Sequence, residues 1–118
     1  MKKLDIIIPK CDYLGLPFRY TVNGVDAKLS ETDLIYFSVK EKITDEEYII
    51  QKSLNNGITY DEDNGKYLIE FHYKDTVNLK MNNNYLYDLV IYYEGTKPVQ
   101  KLFGTFKIGP KVTLNEVV

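Results

Sequence analysis

The side chains best equipped for chemistry in this chain are few and scattered. His72 is the single histidine. It lies in the alternating run Tyr67-Leu68-Ile69-Glu70-Phe71-His72-Tyr73, where it shares a polar face with Glu70. One imidazole beside one carboxylate lacks the ligand set of a metal site, and His72 reads as a solvent-facing group. Cys11 is the single cysteine, so no internal disulfide or cysteine-based zinc site can form. Lys10 beside it is its one support as a thiolate, and a small apolar filler is the better reading. Asp61-Glu62-Asp63-Asn64-Gly65 raises the question of calcium. A helix-loop-helix calcium loop needs an oxygen ligand at its fifth position and a glutamate at its twelfth. Here those positions are Gly65 and His72. A hairpin turn with Asn64 and Gly65 at positive φ fits the segment better. No Gly-x-Ser-x-Gly elbow or His-Glu-x-x-His pair occurs, and Gly24, Gly95 and Gly109 are isolated turn glycines that cradle no phosphate. The expectation is a protein with no catalytic residue, no cofactor and no metal.

The chain as a whole supports that expectation. Its 118 residues, 44% hydrophobic and 27% charged, suit one globular domain over residues 1–110 with a tail over 111–118. A formal net charge of -2, with basic and acidic residues alternating, provides no field for nucleic acid. The start Met1-Lys2-Lys3-Leu4-Asp5-Ile6-Ile7-Ile8-Pro9 fails as a signal peptide, because Asp5 interrupts the apolar part and Pro9 ends it. No run reaches transmembrane length, so no membrane partner and synthesis in the cytoplasm are expected. Eleven tyrosines and no tryptophan suggest amphipathic rings at a surface or interface; alternatively, tyrosine simply fills strands.

Period-two alternation supplies the elements. The run 84–93 places Tyr85, Tyr87, Leu89 and Ile91 on one face and Leu86, Asp88 and Val90 on the other, which predicts the central strand. Further strands are predicted over 3–8, 16–22, 33–41, 48–54, 58–60, 66–74 and 99–108, with Leu29 anchoring the polar segment 25–33. Asn23-Gly24 and Glu94 to Lys97 read as hairpin turns, and Gly104 as a bulge or a crowded backbone contact. Thr44-Asp45-Glu46-Glu47 could open a capping box, but the residues after it suit a strand, so the segment reads as a turn. Asp75 to Leu79 is too short for a stable helix. With no helical period and many short strands, the chain reads as all-β, an antiparallel sandwich. Leu79, a polar loop and then Tyr85-Leu86-Tyr87 match the tyrosine corner of immunoglobulin-like sandwiches. Tyr85 would bond back to upstream backbone, with Leu79 as the apolar plug.

Several short motifs then fall in one order: Phe37-Ser38-Val39, Ile50-Gln51-Lys52, Asp75-Thr76-Val77-Asn78-Leu79, Tyr85-Leu86-Tyr87-Asp88-Leu89, Gly104-Thr105-Phe106-Lys107-Ile108 and Val112-Thr113. In that order they resemble the immunoglobulin-like structural proteins of tailed bacteriophages, including the N-terminal domain of baseplate upper proteins. Cys11-Asp12 stands where the family pattern has Gly-Asp, and Leu89 where it has Ile. The resemblance implies an immunoglobulin-like β-sandwich of about seven to nine strands. It also implies a non-enzymatic virion component of the baseplate, tail, neck or capsid surface, assembling with itself and with other phage structural proteins. Candidate contact residues are Tyr13, Tyr36, Tyr48, Tyr60 and Tyr92, each of which could instead lie on its own sheet. The tail, through Val112 and Leu114, could add a strand to a neighbour's edge or remain a frayed terminus. Longer members carry a C-terminal extension, whereas this chain stops at Val118, as a stand-alone module would. The competing reading is a carbohydrate-binding or adhesion module, which the absence of tryptophan and of a secretion signal disfavours.

Overall fold

The computed structural model describes residues 2–9, 12–42 and 44–109. Among the described residues the regular structure is almost entirely β, and the main sheet curls over on itself. β1 (Lys2–Lys3) and β2 (Ile6–Pro9) both run parallel to β11 (Lys97–Gly109). From β11 the sheet passes through β10 (Tyr85–Tyr93), β6 (Leu34–Lys40) and β7 (Ile50–Leu54), each antiparallel to the last. It continues into β8 (Gly57–Asp61), β9 (Lys66–His72) and β3 (Tyr13–Phe18). β4 (Thr21–Val22) and β5 (Val25–Asp26) form a separate hairpin, and α1 (Tyr73–Thr76) is a single helical turn.

Alternation in the sequence explains which face each strand buries. Tyr85, Tyr87, Leu89 and Ile91 of β10 are buried, as are Ile35, Phe37 and Val39 of β6 and Tyr67, Ile69 and Phe71 of β9. The Phe37 ring lies 5.4 Å from Tyr87, 5.7 Å from Phe71 and 6.0 Å from Phe106, and Phe71 lies 5.6 Å from Phe106. Phe71 belongs to β9, far along the sheet from β11, so these contacts show that the two limbs of the curl close face to face. Burying such a ring removes enough apolar surface from water to contribute about 2–3 kcal/mol.

The fold-over occurs where β7 meets β8. Only Ser53 with Gly57 and Leu54 with Ile58 pair there, in parallel. Asn55 at φ 64 and Gly57 at φ 99 form the tight loop that carries the chain from one strand into the next without reversing it, and a Cβ on Gly57 would clash with Lys52 Cδ. Glycine is therefore required, because the Lys52 stem occupies that space on its way to Asp75 of α1.

Several sequence expectations are corrected. The strand expected over 3–8 is two strands, interrupted at Leu4 and Asp5: the Leu4 N–H still donates to the Phe103 carbonyl at 2.9 Å, but the Tyr87 hydroxyl takes the Leu4 carbonyl and the Thr105 N–H goes to Asp5 Oδ1 instead of a backbone partner. The strand expected over 16–22 begins at Tyr13 and stops at Phe18. Thr21 and Val22 instead close their own hairpin through Asn23 and Gly24, both at positive φ. Tyr73 leaves the inward row for α1 and is exposed. That turn forms because Asp75 Oδ2 accepts the His72 N–H at 2.7 Å, satisfying a donor that a helix start leaves free. In the loop 61–65 Gly65 has positive φ, but Asn64 does not; its side chain donates to Asp61 Oδ2 at 2.7 Å. β11 carries a register shift opposite Leu89 and Val90, while Gly104 makes a crowded backbone contact with Leu4. Thr44 to Glu47 forms no helix, and Leu29 packs against the core with its N–H on the Tyr67 hydroxyl at 2.7 Å. The readings of Cys11 and of the tail, including Val112 and Leu114, lie outside the described residues.

Candidate interaction surface

The outward side chains of β11, β10, β6 and β7 form one continuous face. Register fixes its rows: Phe103 pairs with Asp88, Asp88 with Ser38, and Ser38 with Gln51, so these four cross the sheet side by side. Asp88, Ser38 and Gln51, with Gln100 bonded to Asp88, make a polar belt that Phe103 borders. Gln100 Nε2 donates to Asp88 Oδ2 at 3.3 Å, and Gln51 Nε2 donates to Ser38 Oγ at 3.3 Å. One side of the belt carries Val90, Tyr36, Tyr92 and Leu34; Leu86, Lys40 and Tyr48 lie on the other. Two adjoining open grooves of about 400 and 490 Å³ share Ser38, Tyr48 and Asp88. Ser38 points outward yet is only 7% exposed, so its neighbours already exclude most water from the middle of the face.

Three of the five tyrosines expected to make contacts meet here. Tyr36 and Tyr92 pack edge to face at 5.8 Å. Tyr48, on the loop before β7, is 48% exposed with Lys40 Nζ 4.9 Å from its ring centre. The other two lie on the opposite limb. Tyr13 on β3 donates to Glu70 Oε1 at 2.9 Å and faces the His72 ring at 5.4 Å. Tyr60 on β8 is half-buried, 4.8 Å from the Tyr67 ring with Lys28 Nζ 4.6 Å from its own. Leu79 and Tyr85 are both buried, and the Lys80 N–H donates to the Tyr85 hydroxyl at 3.0 Å. Of the belt residues, the sequence places Ser38, Gln51 and Asp88 only within strand motifs, not as contact residues, and it does not mark Gln100. Alternation alone turns Asp88 outward, but only strand pairing brings the four together.

The electrostatics show anchoring rather than activation. Burial pushes the Tyr87 phenol up to about 12, which keeps it a donor to Leu4 throughout the ordinary pH range. Tyr20 is pushed to about 12 by burial and then by its hydrogen bond with Tyr93, and Lys101 lies near both rings. Asp5 and Asp33 are held below the usual carboxylate range mainly by backbone N–H donors, from Thr105 and Glu94 respectively. His72 is exposed, as its alternation predicts. Among the described residues, no group of three or more histidine, cysteine or acidic side chains is placed to hold a metal, and no helix is long and apolar enough to cross a membrane. Compared with known proteins, the chain matches no family model, and no curated relative matches it.

Proposed function

We propose that this protein is a non-enzymatic, immunoglobulin-like β-sandwich module that works by contact, as a structural protein of a bacteriophage virion. The observation that carries the proposal is the ring-bearing outer face of β11, β10, β6 and β7, broad and grooved, with Tyr36, Tyr48 and Tyr92 gathered on it. Tyrosine is among the residues enriched in interface cores and among binding hot spots. The immunoglobulin-like reading draws support from strand order. β7–β6–β10–β11 follows the C′–C–F–G run of such domains, and β8–β9–β3 the D–E–B run. The bond from the Lys80 N–H to the Tyr85 hydroxyl five residues later supports the same reading, since a tyrosine corner bonds back to backbone a few residues upstream. The virion assignment, at a baseplate, tail, neck or capsid surface, rests on the ordered series of motifs from Phe37 to Thr113. Repetition in a particle would multiply a modest contact into a stable ring or lattice.

Light scattering over a concentration series tests the proposal. The wild-type chain is expected to exceed monomer mass as concentration rises, or to bind a protein encoded beside it. Tyr36→Ala with Tyr92→Ala is expected to weaken that association by about a hundredfold, the scale of two interface anchors. A strict monomer that binds none of the neighbouring gene products would overturn it.

A further inference from the structure

The outer face carries two opposite charges, Asp88 and Lys40, that are not paired with each other in the structure. Asp88 on β10 lies opposite Ser38, and Lys40 on β6 lies opposite Leu86, so the two are diagonal neighbours. That offset is roughly 7–8 Å along the sheet. Among the described residues Asp88 forms no ion pair, and the bond its carboxylate accepts from Gln100 is long, at 3.3 Å. Lys40 Nζ lies over the Tyr48 ring, and both charges line the same groove. Asp88 is half-buried between the apolar rows. A purely apolar partner would strip water from Asp88 and leave it only the Gln100 donor and the nearby Lys40 and Lys3 of its own chain, so a partner that brings a further cation to Asp88 and an acceptor to Lys40 suits this face better.

A second copy turned face to face brings both. With a two-fold axis lying in the interface, midway between Asp88 and Lys40 and perpendicular to the line joining them, each copy's Lys40 meets the other's Asp88. We propose that the partner at this surface is another molecule of the same chain, in a closed dimer registered by two reciprocal Lys40–Asp88 pairs. This rests on the reading of the face as a contact surface. Tyr36 and Tyr92 supply the apolar contact beside the pairs, and self-complementarity is what a closed two-fold interface demands. Four strands about 4.8 Å apart and seven residues at about 3.4 Å each give a patch of roughly 19 by 24 Å. That is the small end of specific interfaces, so the dimer forms at high concentration and weakens with added salt.

The test is a charge swap read by sedimentation equilibrium, with thermal unfolding as the check on folding. Asp88→Lys and Lys40→Asp are each expected to weaken self-association by about tenfold or more, and the double swap to return it to within about threefold of wild type. Mixing the two single variants is expected to give a heterodimer tighter than either homodimer, since one then carries only cations at these positions and the other only anions. If either substitution unfolds the chain, Asp88→Asn is the milder variant and is still expected to weaken association about threefold. Swaps without effect, or a double variant that fails to recover, would overturn the pairing. The contact reading would survive that result if Tyr36→Ala with Tyr92→Ala still weakened association. Saturable glycan-array binding by a wild-type monomer, lost in Tyr48→Ala, would make the occupant a saccharide and overturn the dimer as well.

Discussion

Replacing Gly104 with alanine is expected to destabilise the protein by about 4 kcal/mol, from backbone strain of about 1–3 kcal/mol and overpacking of similar size. Gly104 sits at φ 155, and a Cβ there would lie 2.5 Å from the Leu4 carbonyl oxygen and 2.9 Å from its carbon. The obstacle is backbone, held in place by the Tyr87 hydroxyl and by Asp5 on the Thr105 N–H, so it cannot swing aside as a flexible side chain would. Relief requires the N-terminal strands to lift from β11, which uncovers Ile6 and Ile8, 7% and 2% exposed in the native fold. The midpoint of thermal unfolding is expected to fall by about 15 °C for a domain of this size. Amide exchange should accelerate first at Leu4, Ile6, Ile8 and Thr105. Gly24→Ala is the control, at φ 80 with nothing within 4 Å of the added atom, and it is expected to cost about 1–2 kcal/mol of conformational strain. Equal effects at the two glycines would show that the Leu4 contact does not matter.

The second large effect is expected at Lys52 and Asp75. Lys52 Nζ lies 2.9 Å from Asp75 Oδ2, and the two side chains are 11% and 13% exposed. The same oxygen accepts the His72 N–H, so one carboxylate ties the β7–β8 fold-over to the turn α1. Lys52→Met leaves that carboxylate covered without its cation and is expected to cost about 3–5 kcal/mol. Lys52→Met with Asp75→Asn removes both charges and is expected to recover much of the loss. A double variant no more stable than the single would argue against charge as the cause. Acid should reproduce part of the effect. Burial alone would raise the Asp75 carboxyl, but the His72 N–H and Lys52 outweigh it, so its folded pKa lies below the ordinary 3.8. A group lowered in the folded state contributes its full stabilisation above its unfolded pKa and loses it as pH falls through the folded value. The wild type should therefore lose stability below about pH 4, and the doubly neutral variant should lose less.

How much of this was legible in the sequence depends on how local the cause is. β10, β6 and β9 follow from alternation over seven to nine residues, because each strand's own side chains decide which face is buried. β3 escapes the alternation test because Gly15 and Pro17 weaken its strand character. It tolerates them as the last strand of the sheet, where no further ladder asks for the missing N–H. The break at Leu4 and Asp5 was invisible, since its causes, Tyr87 and Thr105, lie 83 and 100 residues away. The turn α1 is too short to show a period, and one of its ties, Lys52, sits on a distant strand. The outer face was half legible. Alternation turns Tyr36 and Asp88 outward, but nothing local places Tyr36, Tyr48 and Tyr92 on one limb and Tyr13 and Tyr60 on the other.

The central claim is that the protein acts by contact through the outer face of β11, β10, β6 and β7. The most direct measurement is a concentration series of two-dimensional amide NMR spectra of the wild-type chain. Shifts that grow with concentration are expected at Tyr36, Ser38, Lys40, Gln51, Asp88 and Val90, with β3 and β9 unmoved. Concentration-dependent shifts confined to β3, β8 or β9, with the outer face silent, would contradict it.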